Sequence, residues 1–271
     1  MSCISLDAIK RLFTPDALQE SLVRLESLRL PGLWEARHEA GRYPFSVPLN
    51  PHLTVSNEMF GPVAVLLDAP NTFSVDGEPP KFIDLGCGCG RPSLEASHRG
   101  WSSLGVDVDQ DSVNAANELA KRGADEGFIS PSMAPTFAHN NFYPEGFERT
   151  YPPGFNPHSV FIQEGEATID YLMAHCTVAR ANYEAAGFGL DKIDVFYHYQ
   201  LESLENLLRF FSRYAKVGAL FVLVGSSAQE KAANIFESSQ FPRLDEISSA
   251  VMQCYPSANS SSVRLFFKHP S

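Results

Sequence analysis

The stretch of residues 81–90 constrains the fold of this chain more than any other. Its sequence is Lys-Phe-Ile-Asp-Leu-Gly-Cys-Gly-Cys-Gly, so a short apolar run leads directly into three alternate glycines. Residues 91–99 then have a helical pattern, with Pro92 in the first turn and Gly100 just past the end. Glycine has no Cβ and tolerates positive φ, so the backbone can turn sharply and lie against a ligand. The stretch therefore predicts a strand, a ligand-binding loop, and a helix whose N-terminus faces the same ligand.

The rest of the chain alternates between strand-like and helix-like segments. Alternation of this kind favours a mostly parallel sheet with helices on both faces. We therefore predict an α/β fold with a doubly wound, seven-stranded, Rossmann-like sheet. The further strands are predicted at 104–106, 136–138, 193–197, 219–224, 250–255 and 263–268, and the further helices at 112–122, 166–186, about 204–214 and 228–238.

The N-terminal third has a different pattern and is predicted to form a helical cap with an irregular wrap. Thr14 and Pro15 suit an N-cap and the first residue of a helix. Residues 43–62 contain four prolines and are predicted to be irregular. A Gly-, Pro- and Asp-containing linker at 71–80 is predicted to separate a cap, residues 1–78, from the α/β domain, residues 79–271.

Charge and composition narrow the partners and the compartment. The formal net charge of −11, without a Lys/Arg cluster, disfavours nucleic acid as a substrate. The longest apolar run, 219–224, is far shorter than a membrane span, and residues 1–10 lack the pattern of a secretory signal, so no membrane partner is expected. Five cysteines without disulfide or zinc spacing indicate a reducing cytoplasm.

The spacing of the glycines and of two acids distinguishes between nucleotide-like ligands. The dinucleotide fingerprint needs its third glycine three residues after the second, but Gly90 follows Gly88 by two. Asp84 ends the first predicted strand and Asp107 ends the second, 107 − 84 = 23 residues later. A carboxylate at the end of the second strand can accept hydrogen bonds from both hydroxyls of a ribose. The pattern therefore disfavours a nicotinamide oxidoreductase.

These motifs resemble those of class I S-adenosylmethionine-dependent methyltransferases over residues 81 to about 224, roughly half the chain. The stretch 84–90 is similar to their first motif and 105–107 to their second. The resemblance implies that the glycines approach the methionine and adenosine parts, that Asp84 helps hold the amino group, and that Asp107 binds the ribose. It implies S-adenosyl-L-methionine as cofactor, with S-adenosyl-L-homocysteine as product. The implied binding residues are Asp84, Gly86, Cys87, Gly88, Gly90, Asp107, Val108, Asn141 and Phe142.

The two positions after the third strand depart from the family pattern or allow two interpretations. Many members have an Asp that meets the adenine amino group where this chain has Asn141. An amide oxygen can still accept from an exocyclic amine. Phe142 is expected either to pack on the adenine or to be a core aromatic residue, and Asp109 is expected to cap the following helix.

Candidate catalytic residues follow the fourth strand, where Tyr197, His198 and Tyr199 are expected at the acceptor pocket. His198 is the candidate general base because an imidazole titrates near neutral pH. Alternation along the strand places His198 opposite to the two tyrosines, so only one of these sets faces the site. A structural histidine is the alternative. No Asn-Pro-Pro-Tyr-like motif follows this strand, and no acidic triad indicates a metal.

The acceptor is expected to be a small molecule, apolar or aromatic, methylated on O or N. An aromatic, Pro-rich segment around 142–165 suits a lid over such a ligand, with a surface wrap as the alternative. Two other functions keep the same site: a different reaction at the sulfonium, such as aminopropyl transfer, and a non-catalytic binding or partner subunit. The sequence does not indicate the oligomeric state.

Overall fold

A computed structural model describes residues 4–27, 57–149, 178–199, 204–224, 241–248 and 263–270. Seven strands in these ranges form one sheet in the order β3-β2-β1-β4-β5-β7-β6. The first five strands are parallel, and the antiparallel β7 and β6 extend the sheet beyond β5. This arrangement confirms the predicted fold class. The strands are β1 (Lys81–Leu85), β2 (Ser102–Asp107), β3 (Thr136–His139), β4 (Val195–Tyr199), β5 (Leu220–Val224), β6 (Leu244–Glu246) and β7 (Val263–Lys268).

The strand order reverses at β1, which pairs with β2 on one side and with β4 on the other. Ligands of doubly wound sheets bind at the carboxyl ends of the strands at such a point. The glycine loop begins there. The described helices are α1 (Leu6–Leu12), α2 (Pro15–Ser27), α3 (Asn57–Leu67), α4 (Pro70–Phe73), α5 (Arg91–His98), α6 (Gln110–Asp125) and α7 (Leu204–Tyr214), with short 3₁₀ turns at Pro131–Met133 and Leu190–Lys192.

The two faces of the sheet are covered by different parts of the chain. Helices α1, α3 and α4 share one hydrophobic cluster with alternate residues of the sheet, among them Phe82 and Tyr197. Helix α7 and the residues after β3 share another cluster with the intervening residues, among them Leu85 and Phe196. All five residues of β5 are buried, as expected for a strand with helices on both faces.

The N-terminal predictions hold in part. The Thr14 hydroxyl accepts a hydrogen bond from the Ala17 amide at 3.1 Å, and α2 begins at Pro15, as predicted. The predicted irregular wrap is wrong over 57–62, because α3 spans Asn57–Leu67 with Pro62 inside it. Proline removes one helical hydrogen bond, but α3 buries an almost continuous apolar run against the sheet, and this packing outweighs the loss. The division into residues 1–78 and 79–271 stays a prediction.

The predicted helix at 166–186 is wrong over its described part, residues 178–186. Arg180 instead forms a β-bridge with Asn141, and the chain then turns, with the Asn182 side chain accepting from the Ala185 amide at 3.0 Å. Tyr183, which had suggested helical spacing, packs in the core of this irregular segment. The predicted elements at 228–238 and 250–255, and residues 150–165 of the expected lid, lie outside the described residues.

Candidate functional site

The glycine loop turns sharply at each of its three glycines. Gly86, Gly88 and Gly90 have φ values of 74°, 52° and 79°, a backbone region that residues with a Cβ rarely adopt. The amides of Gly86 and Cys87 both donate to the Val106 carbonyl, at 2.8 and 3.1 Å, which anchors the start of the loop to β2. The loop then leads into α5, whose free amides face the carboxyl ends of the strands.

The glycines serve two different purposes. A Cβ on Gly90 would lie 2.3 Å from the Phe137 ring, so this glycine lets α5 and β3 pack closely. A Cβ on Gly88 would meet no described atom within 4 Å, so the backbone there has an open side that a ligand can approach. Gly105 resembles Gly90: its Cβ would lie 2.5 Å from Phe137 and 2.9 Å from the Cβ of Cys87. Gly105 belongs to the second motif for a packing reason.

Asp107 connects the end of β2 to the glycine loop. One carboxylate oxygen accepts from the Gly88 amide at 2.7 Å and the other from the Asp109 amide at 2.9 Å. Burial raises the pKa of Asp107, and the hydrogen bonds from Asp109 and Gly88 act against that rise. Each oxygen retains a further acceptor position. Asp107 can therefore hold the loop and still accept two ligand hydroxyls.

Asp84, at the other end of this site, lies in a less favourable environment. It is 1% exposed, and neither carboxylate oxygen accepts a hydrogen bond from any described residue. Burial raises its pKa well above the usual value, and the charge of Asp107 raises it further. Ser93, in the first turn of α5, acts against this rise in the pKa, although neither carboxylate oxygen makes a contact with it that has the geometry of a hydrogen bond. A buried acid without a donor indicates that a ligand supplies one.

Tyr197 lies beside Asp84 in the sheet. The two residues are Cα partners in β4 and β1, so their side chains emerge from the same face. The Tyr197 ring stacks on Phe82 at 6.1 Å between centroids and meets Phe60 of α3 edge-on at 6.4 Å. Its hydroxyl has no hydrogen-bond partner within the described ranges. Burial raises the pKa of Tyr197, and the charge of Asp84 adds to the rise.

His198 lies on the opposite face, as the alternation predicted. Its Nδ1 is 2.5 Å from the Leu85 carbonyl oxygen, and its ring packs 5.4 Å from that of Phe142. A carbonyl only accepts hydrogen bonds, so Nδ1 carries the proton and Nε2 carries the lone pair. Burial lowers the pKa of His198 to about 4, although its hydrogen bond to Leu85 acts in the other direction. The imidazole is therefore neutral at physiological pH. Its catalytic role, like those of Tyr197 and the half-buried Tyr199, stays a prediction.

Asn141 and Phe142 are both buried at the end of β3. The Asn141 side-chain oxygen accepts from the Tyr143 amide at 3.0 Å, and its backbone pairs with Ala179 and Ala181. Phe142 packs on Tyr143, 4.4 Å between centroids, within the core cluster. The core interpretation of Phe142 therefore holds in this structure. Contacts of either residue with an adenine stay predictions.

His139, which the sequence analysis did not single out, lies beside Asp107 and Val108. His139 is the Cα partner of Asp107, and its Nε2 is 2.9 Å from the Val108 carbonyl oxygen. Its position at the last residue of β3 was the available signal. Asp109 caps α6, as predicted, with its carboxylate accepting from the Ser112 amide at 3.1 Å.

Cys87 and Cys89 are both buried in the glycine loop. Burial, with the charges of Asp107 and Asp84, raises the pKa of Cys87 well above its usual value. Across the described ranges, no cluster of three or more His, Cys, Asp or Glu side chains could hold a metal. The helices in these ranges include none that could span a membrane.

A cavity of about 870 Å³ lies away from the glycine loop, near the start of β4 and the end of α7. None of the predicted site residues lines it. We place the candidate site at the glycine loop, because the buried Asp84 carboxylate, which accepts no hydrogen bond from a described residue, lies beside it. The cavity is lined by Pro144, Glu145, Arg180, Ala181, Asn182, Tyr183, Glu184, Leu190, Asp191, Arg213 and Tyr214.

Comparison with known proteins gives one local sequence match. A segment of 66 residues is 39% identical to the ribosomal RNA small subunit methyltransferase C of Alcanivorax borkumensis. It covers 24% of this chain and 20% of that protein, so the match spans about a fifth of the relative's length. No family model matches the chain.

Similar solved structures include an RNA methyltransferase from Salinibacter ruber in complex with S-adenosyl-L-homocysteine. It is 18% identical with a TM-score of 0.35, and the alignment covers 64% of this chain and 76% of that one. A precorrin-6y C5,15-methyltransferase from Geobacter metallireducens has a TM-score of 0.38 at 11% identity, with coverages of 67% and 71%. A geranyl diphosphate methyltransferase in complex with GPP and sinefungin has 0.35 at 12% identity, with coverages of 74% and 73%. TM-scores of 0.35 to 0.38 do not themselves support the family resemblance. The strand order and the local match are what support the family resemblance.

Proposed function

We propose that this chain, which has the Rossmann-like fold of class I S-adenosylmethionine-dependent methyltransferases, binds S-adenosylmethionine and transfers its methyl group. One observation carries the proposal. Asp84 is a buried carboxylate without a donor, next to a glycine loop that is open at Gly88 and held by Asp107. An ammonium group matches the Asp84 carboxylate, a narrow ligand chain matches the open side of Gly88, and a pair of hydroxyls matches Asp107.

Each part of the cofactor has a candidate partner among the residues of this site. Asp84 would accept from the amino group, and the backbone at Gly88 would lie along the ligand chain. Asp107 would accept from the ribose hydroxyls, because its two oxygens are oriented by the amides of Gly88 and Asp109. Asn141 and Val108 would border the adenine. When bound, the sulfonium supplies an electrophilic methyl group, and the protein has to align the acceptor and exclude water.

We further propose a small-molecule acceptor that is already nucleophilic, such as a neutral amine. The net charge of −11 opposes a polyanion, and the aromatic ring of Phe142 packs against that of His198. A base with a pKa of about 4 removes a proton from a hydroxyl poorly, whereas an amine with a free lone pair needs no deprotonation before it attacks. The methylated product would then leave as an ammonium ion that loses its proton to solvent, and His198 would line the acceptor pocket as a neutral imidazole.

RNA is the second candidate acceptor, because the local sequence match is to a ribosomal RNA methyltransferase. The chain's negative charge favours the small molecule over it. The two acceptors are separable by one assay. The protein is incubated with S-adenosylmethionine labelled in its methyl group and a native extract, and label is counted in the RNA and small-molecule fractions.

We expect label in the small-molecule fraction. Label in RNA alone would mean that the acceptor is RNA and would leave the proposed methyl transfer unchanged. Calorimetry with S-adenosylmethionine and NADH tests the cofactor separately. Binding of the former without transfer of label would favour the partner-subunit alternative, and binding of NADH alone would refute the proposal.

A further inference from the structure

The most unusual feature of the described structure is a group of buried oxygen atoms under the first turn of α5. Both carboxylate oxygens of Asp84, the hydroxyl of Ser93 and the hydroxyl of Tyr197 are buried, and none has a hydrogen-bond partner among the described residues. Buried polar groups in native proteins are normally paired, because each unpaired one costs about 1–3 kcal/mol. The carboxylate can only accept when ionised, and each hydroxyl can accept as well as donate, so the group suits a ligand that carries several N–H donors.

A positive charge lies at the border of this group. Arg91 is the first residue of α5, directly after Gly90, and is half-buried. Its guanidinium lies over the Phe60 ring of α3, 5.6 Å from the centroid. Arg91 lowers the pKa of Tyr197 while Asp84 raises it, so the phenol is within electrostatic reach of both charges. Tyr197 is the Cα partner of Asp84, and its ring meets the same Phe60 ring that the Arg91 guanidinium covers.

We propose that these four residues bind the amino-acid end of the cofactor as a zwitterion, with Arg91 binding its carboxylate. Asp84, Ser93 and Tyr197 accept the N–H groups of the ammonium. The planar guanidinium of Arg91 matches a carboxylate, and its stacking on Phe60 restricts its orientation. The inference rests on the proposed function and extends it, because the family resemblance implied only Asp84.

Arg91 would make the protein selective for a particular form of the cofactor. Aminopropyl transfer uses decarboxylated S-adenosylmethionine, which has the same sulfonium and amine but no carboxylate. An arginine that binds the carboxylate favours the intact cofactor by one charge-assisted interaction. Arg91 is thus a specificity-determining residue that separates methyl transfer from aminopropyl transfer at this site.

Titration calorimetry with three probes tests this inference: S-adenosylmethionine, its decarboxylated form, and methylthioadenosine, which lacks both charged groups. In the wild type we expect S-adenosylmethionine to bind most tightly. Arg91→Gln should weaken S-adenosylmethionine about ten- to hundredfold and leave the other two probes unchanged. Arg91→Lys should recover part of the loss. Tyr197→Phe should weaken the two amine-containing probes and leave methylthioadenosine unchanged.

The matched controls are Arg213→Gln and Tyr214→Phe, at the end of α7 on the other face of the sheet, which should change none of the affinities. Equal weakening of all three probes by Arg91→Gln would mean a structural role and overturn the inference. Tighter wild-type binding of the decarboxylated form would also overturn it, while leaving an adenosyl site intact. If the wild type binds none of the three probes, the proposed function itself fails.

Discussion

Asp84 and Tyr197 are lateral neighbours in β1 and β4, and both bury a polar group that finds no hydrogen-bond partner in the described structure. The charge of Asp84 adds to the effect of burial in raising the pKa of the Tyr197 phenol. An arrangement of this kind lowers the stability of the free protein. It persists in native proteins chiefly where a ligand uses it.

Asp84→Asn should therefore stabilise the free protein at neutral pH while weakening cofactor binding. Its raised pKa means that the folded state holds the proton more tightly than the unfolded state. The contribution of Asp84 to stability is thus full below its unfolded pKa of about 4 and is lost as the pH rises through the folded pKa. We expect the free energy of unfolding at pH 7 to rise by about 1–3 kcal/mol, because a neutral amide costs less to bury than an ionised carboxylate.

Thermal unfolding at about pH 7 and pH 4 measures this effect, and the gain should vanish at the lower pH. The exposed Asp125→Asn is the control and should not show the pH-dependent gain. A loss of stability at pH 7 in Asp84→Asn would mean that the carboxylate has a partner that stabilises its charge.

Cofactor affinity should rise with pH and then level off. Burial raises the pKa values of Asp84 and Asp107 in the free protein, and a bound cation favours the ionised forms, so binding releases protons. Calorimetry in two buffers of different ionisation enthalpy counts the protons released. Asp84→Asn should reduce this number without abolishing it, since Asp107 still contributes. A proton count that is unchanged in the variant would exclude Asp84 as a source.

The parts of this fold that follow local rules could be predicted from the sequence. The strand–loop–helix unit at the glycine loop, the caps at Thr14 and Asp109, and the alternation of Tyr197 and His198 depend on neighbouring residues. Helix α3 could not be predicted, because its Pro62 is a local helix breaker and only tertiary packing compensates for it. The same holds for Tyr183, whose helical spacing is overridden by packing in the core.

The sequence predicted the residue types of the candidate site but not which other residues surround each of them. The glycine spacing indicates a ligand loop, yet only the structure separates Gly88, with its open side, from Gly90, which packs on Phe137. The orphaned state of Asp84 and the position of Arg91 over Phe60 depend on which residues meet across the sheet. Contacts between distant segments are not encoded in any single window of the sequence.

Alanine substitutions should separate the two kinds of glycine. Gly88→Ala pays only the left-handed backbone cost of about 1–2 kcal/mol, because its Cβ meets no described atom, but the Cβ projects to the open side and should sharply weaken cofactor binding. Gly90→Ala adds a clash with Phe137 and should cost about 1–3 kcal/mol more in stability. Chemical unfolding and calorimetry measure the two effects.

Gly100→Ala is the matched control for this comparison. It has a φ of 87° and, like Gly88, no described atom within 4 Å of its added Cβ, but it follows α5 at the far end from the loop. We expect a stability loss similar to that of Gly88→Ala with unchanged cofactor affinity. Equal affinities in Gly88→Ala and the wild type would show that no ligand approaches the loop at that residue.

His198 should make the protein labile in mild acid, with a sign opposite to that of Asp84. Its folded pKa of about 4 lies below the unfolded value of about 6.5, so the unfolded state binds the proton first. The stability that it contributes is complete above pH ~6.5 and is lost progressively as the pH falls towards 4. The full loss is about 3 kcal/mol. His198→Gln keeps a donor for the Leu85 carbonyl without a titrating group, and its stability should therefore change much less between pH 7 and pH 4.

Denaturant unfolding at a series of pH values measures how the free energy of unfolding changes with pH. The control is His269→Gln, at a partly exposed residue near the end of the chain, which should retain the wild-type pH dependence. A wild-type slope in His198→Gln would mean that the acid lability arises elsewhere and that this imidazole is not buried in its neutral form.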